Sequence, residues 1–385
     1  MRVALVCERF DPSGGGLEQW AFQFACRLAE RHHDVHVVAF RAAAPTGTAL
    51  LSMHLLPWHR SRLWRARRVE AALPNLRADI VHDLGVGWAC DILHPQAGSR
   101  LANRRRERRS QTYRERFLRS LRPEYWRWLV ELRELERRQY KRGSTVIAVS
   151  GMVAASLRDL HGVSEKHIRL IPNGIDTNRF SPARRTPLRE AARQALRLTD
   201  ETLFLFAAHN PRLKGLKPLL RAMGRLAHTH PGARLAVIGC EAGQEYRRAV
   251  RDLGIEHSVV FAGFVEDTLP WFAGADAFVL PTYYDACSLT VLEAAACGLP
   301  VITSRYNGAA ELMTHELEGF VLNEPDDHVE LAAAIALLTN VEARSRMSAA
   351  ARELGLRCGM DANVARIEEV YLATVGHRDN RGARL

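Results

Sequence analysis

Two carboxylates, Asp285 and Glu293, stand eight positions apart in "YYDACSLTVLEAAACG" (283–298), with Ser288 and Thr290 as polar company between them. Ser288 occupies the place of a helix N-cap ahead of "LTVLEAAAC", Gly298 closes the run and Pro300 follows. The backbone N–H groups of residues 289–291, Leu289 and Thr290 among them, then point at the preceding loop and favour an anion there. Asp285 lies ahead of this helix and Glu293 a little over one turn into it, so the two acids are not expected to share a hydrogen bond. A carboxylate that accepts two adjacent hydroxyls reads a diol, such as a ribose or a sugar. The stretch is therefore either an anion cradle with a carboxylate on each flank or a well-capped helix with acids near its positive end.

Two further loops carry suitable chemistry. In "SGGGLEQW" (13–20), Gly15 and Gly16 permit close backbone approach of an anion to a helix start. The motif is not the GxGxxG dinucleotide fingerprint, and a tight strand-to-helix turn accounts for it equally well. In "AAHNPRLKGLKPLL" (207–220), Arg212, Lys214 and Lys217 fall between a strand and its helix. Cations there can neutralise a departing phosphate, or simply be solvated.

These loops need strands and helices to hold them. "MRVALVC", "DVHVVAF", "ADIVHDLG", "STVIAVS" and "HIRLIPNGID" read as strands, and Leu17, Trp20, Ala21, Phe24 and Leu28 recur at helical spacing after the glycine loop. "PNGIDTNRFSP" (172–182) is dense in turn formers, and a second series follows with strands at "TLFLFAAHN", "ARLAVIGC", "VVFAGFV", "DAFVLPT" and "LPVITS". This alternation predicts an α/β protein of two Rossmann-like domains facing each other across a cleft. The expected boundaries are 1–176, 177–363 and a helical tail, 364–385, that packs back on the first domain.

Length suits two domains, and 47% apolar with 25% charged residues describes a globular chain. No apolar run reaches the roughly 18–20 residues of a membrane span, and the N-terminus lacks the pattern of a signal peptide, so a cytoplasmic protein is expected. Seven scattered cysteines form no CxxC pair or Cys/His cluster, and neither disulfides nor zinc is expected. The net charge of +11 is concentrated: fifteen arginines lie between Arg100 and Arg142, interleaved with Tyr113, Phe117, Tyr125, Trp126 and Trp128. Such a segment suits a membrane surface or RNA, or is a solvated basic helix. "WLVELRELERRQY" reads as an ordinary amphipathic core helix with Trp128, Leu132 and Leu135 on one side.

In combination, these pieces resemble the GT-B nucleotide-sugar transferases of glycosyltransferase family 4. "DACSLTVLEAAACGLPVITSRYNGAAEL" is similar to the family's E-x7-E segment, "IPNGIDTNRFSP" to its interdomain hinge, and "GGGLEQWAFQFACRLAERHHDVHVVAF" to its donor-phosphate loop and first helix. The double-glycine loop and the long basic insertion resemble the lipopolysaccharide-core glucosyltransferase type most. The resemblance implies that Gly15 and Gly16 approach the donor's β-phosphate, that Lys214 binds the diphosphate, and that the N–H groups of Leu289 and Thr290 complete that cradle, with Ser288 among the substrate-binding residues. It implies that Asp285 contacts the transferred sugar, Glu293 the ribose, and the main chain near Val265 the base. Two departures stand out. Asp285 replaces the usual Glu, and His209 occupies the place of the family arginine, so that either Arg212 substitutes or the diphosphate is held by one fewer charge. The first domain's histidine near the sugar is sought in "CDILHPQAGS" (90–99), at His94 or Gln96, with His82 as rival.

The implied activity is a retaining, metal-independent hexosyl transfer, glucose from a UDP-sugar, to a bacterial envelope glycolipid or polysaccharide such as a lipopolysaccharide core. No cofactor beyond the nucleotide sugar and no nucleic acid partner are expected. Residues 99–122 are expected to dock on the anionic inner face of the cytoplasmic membrane. The alternatives are another GT-B enzyme, such as a nucleotide-sugar epimerase or a phosphorylase, and a non-enzymatic polyanion- or membrane-binding protein.

Overall fold

The β-branched run that opens the chain forms β1 (Arg2–Val6), whose residues Val3 to Val6 are fully buried. The computed structural model describes residues 1–43, 50–141 and 143–382, with side chains described to 376. Further strands of the first half are β2 (Arg9–Phe10), β3 (Asp34–Ala39), β4 (Arg41–Ala42), β5 (Leu51–Leu55), β6 (Ile80–Asp83), β7 (Ile92–Leu93), β8 (Thr145–Ala148) and β9 (Ile168–Leu170). They build a seven-stranded sheet in the order β5-β3-β1-β6-β7-β8-β9, with β2 and β4 paired beside it. All pairings are parallel, and Leu5 stands opposite both Val37 and His82. Helices cover such sheets on both faces, which is why β1 reads as an unbroken apolar run.

The second half repeats the plan with β10 (Thr202–Ala207), β11 (Ala233–Ile238), β12 (Val259–Gly263), β13 (Ala277–Leu280), β14 (Val301–Ser304) and β15 (Gly319–Leu322). Their order is β12-β11-β10-β13-β14-β15, again parallel throughout. Every residue of β10 is buried. The fold is α/β, with two Rossmann-like sheets.

The chain divides into two units, Met1–Gly174 with Met360–Leu385, and Ile175–Gly359. The change of unit thus falls two residues earlier than 176, inside "NGID", and the returning tail begins at Met360 and not at 364. Its helix, Met360–Gly382, belongs to the first unit, with Asn363 Nδ2 donating to the Pro172 carbonyl at 2.6 Å. The last three residues lie outside the described ones.

Some expectations need correction. Leu17 is 40% exposed, although Trp20, Ala21, Phe24 and Leu28 are buried as their spacing predicts. Leu17 sits in the first turn of the helix Gly16–Glu30, ahead of the point where that helix meets the sheet. The helix Pro123–Lys141 buries Leu129, Leu132, Leu135, Glu136, Gln139 and Tyr140, whereas Trp128 is only half-buried. Glu136 is buried because its carboxylate accepts from the Arg100 N–H at 2.6 Å, holding the start of the helix Arg100–Glu107. Strands β5, β7 and β15 and the β2–β4 pair had no clear signal, being short or, like "LSMHL", without alternation. None of the seven cysteines, all among the described residues, forms a disulfide.

Candidate functional site

In the second unit the lysine loop and the acid stretch are stitched together through their backbones. Thr282 Oγ1 and the Tyr283 N–H both donate to the Leu213 carbonyl, at 3.2 and 2.9 Å. Gly215 makes this approach possible. It has φ +82°, and a Cβ there would stand 2.0 Å from the Pro281 carbonyl oxygen. Asp285 is clamped to the segment after β14, its N–H donating to Tyr306 and its carbonyl accepting from Gly308, at 2.9 and 2.8 Å. The result is an ion pair. Lys214 Nζ lies 2.6 Å from Asp285 Oδ2, both half-buried, and also donates to the Tyr284 carbonyl at 3.2 Å.

The helix Leu289–Ala296 starts beside this pair. Ser288 caps it, its Oγ accepting from the Val291 N–H at 3.4 Å, and Gly298 follows its end with φ +71°. Asn307 fixes the cap from outside, accepting from the Ser288 N–H at 3.2 Å. The N–H groups of Leu289 and Thr290 meet no acceptor among the described residues, and both residues are half-exposed. An ammonium, two free helix N–H groups and a carboxylate thus surround one loop, an arrangement suited to an anion with hydroxyls attached.

Glu293 does not bond to Asp285. Its carboxyl has no hydrogen-bond partner among the described residues, and burial pushes its pKa up to about 7 against the opposing charge of Arg179. Arg179 itself pairs with Asp267 at 2.8 Å, beside the half-buried Val265. His209 is exposed and stacks on Phe264, ring centroids 5.9 Å apart. Arg212 lies 3.3 Å from Glu245 in an exposed ion pair. Lys217 is exposed.

In the first unit, Gly15 is the N-cap of the helix Gly16–Glu30 in extended backbone that any residue adopts, with no side chain capping the helix. The crowded member of the triplet is Gly14, where a Cβ would meet the Glu18 Cβ at 2.8 Å. His82 and His94, weighed against each other in the sequence, are partners. Their rings stack at 5.3 Å and His82 Nε2 lies 3.2 Å from His94 Nδ1. Both are fully buried, and Gln96 is nearly so, with its Nε2 unpartnered. Sequence reasoning missed Tyr371, whose hydroxyl holds His82 from 289 residues away, and Trp20, which abuts His94. Trp20 carried an apolar-face signal only, and Tyr371 none.

The basic segment forms the helices Arg100–Glu107, Tyr113–Ser120 and the start of Pro123–Lys141. Arg104 is buried against Glu107 and the Tyr125 ring. By contrast, the helix Tyr113–Ser120 buries nothing, and Tyr113 (79%), Phe117, Leu118, Leu121 and Trp126 are exposed among arginines. Arg142, the last of the fifteen, lies outside the described residues.

Residues 14–179 match the family model described as Glycosyltransferase Family 4, and residues 200–340 the model described as Glycosyl transferases group 1. The first half thus carries a glycosyltransferase family 4 domain and the second a glycosyl transferases group 1 domain, on a fold of the GT-B type. It is 29% identical over 61% of its length to the D-inositol 3-phosphate glycosyltransferase of Xylanimonas cellulosilytica, and 31% identical over 55% to the glycogen synthase of Mycobacterium tuberculosis. These matches span 60% and 50% of those relatives, so the chain covers little more than half of their length. Among solved structures it is similar to WaaG, a glycosyltransferase involved in lipopolysaccharide biosynthesis, at TM-score 0.81 and 20% identity over 96% of this chain and 99% of that one. Anabaena Alr3699/HepE in complex with UDP-glucose superposes at TM-score 0.73 and 19% identity, over 97% and 100%. At those identities the structures speak to fold alone.

Proposed function

We propose that the protein transfers glucose from UDP-glucose, with retention of anomeric configuration and without a metal ion, to a bacterial cell-envelope glycolipid such as a lipopolysaccharide core. The observation that carries this reading is the Lys214–Asp285 pair beside the free N–H groups of Leu289 and Thr290. Lys214 and those N–H groups meet the charge that develops on the departing diphosphate, which is the task a metal performs elsewhere. Asp285 holds hydroxyls of the sugar, Glu293 the ribose, and the backbone at Val265 the base, with His209 stacked nearby. The first unit contributes the uncapped helix start at Gly15 and Gly16 for the β-phosphate, and His94 with Gln96 for the sugar. The acceptor hydroxyl attacks from the face the diphosphate leaves, so the new bond keeps the old configuration. HepE, solved in complex with UDP-glucose, and WaaG, involved in lipopolysaccharide biosynthesis, share this fold, and the proposed donor and acceptor class follow those two proteins.

The exposed aromatic and basic face of residues 99–122 supports peripheral docking on the anionic inner leaflet, where a glycolipid acceptor resides. No helix among the described residues is long and apolar enough to cross a membrane.

The deciding experiment incubates EDTA-treated protein with UDP-, GDP- and ADP-sugars and follows slow donor hydrolysis and thermal stabilisation. UDP-glucose is expected to give both. A protein that responds to no nucleotide sugar is not this transferase, and one that responds to GDP- or ADP-sugars alone has a different donor.

A further inference from the structure

A buried hydrogen-bonded chain runs through the first unit from the C-terminal helix to the end of β7. Tyr371 Oη lies 2.6 Å from His82 Nδ1, and His82 Nε2 lies 3.2 Å from His94 Nδ1. The three side chains are fully buried and have no other hydrogen-bond partner among the described residues. At the end of the chain His94 Nε2 is buried with no partner. So is the indole Nε1 of Trp20, whose ring meets His94 edge-on with centroids 5.2 Å apart. Buried polar atoms left without partners are rare enough in a folded protein that two on neighbouring rings ask for an explanation.

Counting protons gives the chain a direction. A phenol has one proton to donate. If Tyr371 accepted from His82, its own O–H would be buried with nothing to donate to, at a cost of about 1–3 kcal/mol. Tyr371 therefore donates to His82 Nδ1. A neutral His82 then carries its proton on Nε2 and donates to His94 Nδ1, and a neutral His94 must carry its own on Nε2. Burial keeps both rings neutral, holding His82 well below the ordinary histidine range and His94 at about 3. Burial also pushes the Tyr371 phenol up, so it keeps the proton it donates.

We propose that Tyr371 and His82 are positioning residues that lock His94 in the Nε2–H tautomer, so that it donates a hydrogen bond to an oxygen of the transferred sugar. The indole of Trp20 can only donate, so the unpartnered atoms on these two neighbouring rings are both donors and suit an oxygen-bearing ligand. The opposite tautomer would offer the sugar a lone pair in place of a proton. The sugar half of this proposal rests on reading the protein as a glycosyltransferase with His94 at its donor; the tautomer half stands on the hydrogen-bond chain alone.

Nitrogen-15 NMR of histidine-labelled protein reads the tautomer directly, with His94 identified by the signals lost in His94→Gln. The expected wild-type result is a protonated Nε2 and a bare Nδ1 on His94; the reverse assignment overturns the proposal. In Tyr371→Phe, His82 is free to take its proton on Nδ1, and His94 is expected to shift toward Nδ1–H. UDP-glucose affinity should then fall about 5-fold, the worth of one hydrogen bond, while UDP affinity stays unchanged. His82→Gln, which breaks the chain without emptying the Tyr371 site, should show the same split. If His94 keeps its Nε2 proton in Tyr371→Phe, or if UDP and UDP-glucose weaken together in both variants, the relay is wrong and the triad is packing. A wild-type protein that binds neither UDP nor UDP-glucose removes the sugar contact together with the transferase reading, and the NMR assignment still decides the relay.

Discussion

Lys214 Nζ lies 2.6 Å from Asp285 Oδ2, so the cation assigned to the diphosphate is already paired with a carboxylate. A donor that binds there must give the ammonium a better partner than the carboxylate, while the carboxylate gains sugar hydroxyls in exchange. Free nucleotide offers only the first half of that exchange.

The pair therefore predicts opposite behaviour for its two members. Lys214→Ala removes a charge-assisted contact to phosphate and should weaken UDP binding about 10–100-fold. Asp285→Asn releases the lysine and should leave UDP binding equal or tighter, yet depress glucose transfer. Calorimetric titration of UDP into both variants, beside a transfer or donor-hydrolysis assay, checks this. Equal loss of UDP affinity in both would show that the pair acts only as a structural clamp.

Glu293 sets a pH dependence. Burial raises its pKa from 4.5 to about 7, so the folded state binds more protons than the unfolded one between those values. Stability associated with this group is therefore highest below about pH 4.5 and declines as pH rises toward 7. Glu293→Gln should be more stable than wild type at pH 8, by on the order of 2 kcal/mol, and should not differ in this way at pH 4. Donor affinity should move oppositely in wild type, increasing from pH 6 to 8 as the carboxyl ionises and accepts ribose hydroxyls, and should be flat in Glu293→Gln. Denaturant melts and UDP titrations across that range measure both.

Gly215 should not tolerate a side chain. With φ +82° and the Pro281 carbonyl 2.0 Å from the added Cβ, Gly215→Ala forces the lysine loop off the acid stretch. The left-handed backbone alone costs about 1–2 kcal/mol, so a larger loss of stability is expected, with UDP affinity falling through displacement of Lys214. Gly232→Ala is the control, since its Cβ meets nothing within 4 Å. Urea denaturation of the two variants separates them.

Tyr113, Phe117 and Leu121 are mostly exposed, so replacing all three by Ser should lower the melting temperature by no more than a few degrees. The same triple variant should lose sedimentation with phosphatidylglycerol vesicles while neither protein binds phosphatidylcholine. Wild-type binding should also weaken with added salt, because the arginines contribute through a screened field. Undiminished binding by the variant would place the docking face elsewhere.

The sequence alone determined the plan of this protein, for reasons that are local. Parallel strands covered on both faces must be continuous apolar runs, so β1, β3, β10 and β13 were legible, as was the capped helix from Ser288 to Gly298. Lys214, Asp285 and Glu293 were legible as candidates because residue type and spacing survive in the chain's order, and the family resemblance assigned each a role. Tertiary structure decided what those residues touch. Nothing in the order of residues says that Lys214 pairs with Asp285, that Arg212 is taken by Glu245, or that Gly14 and not Gly15 is the crowded glycine. Least visible was the joining of His82, His94 and Tyr371, since β6, β7 and the last helix meet only when the sheet assembles and the C-terminal helix returns to the first unit. A histidine's partner across 289 residues is a property of packing, and packing exists only in three dimensions.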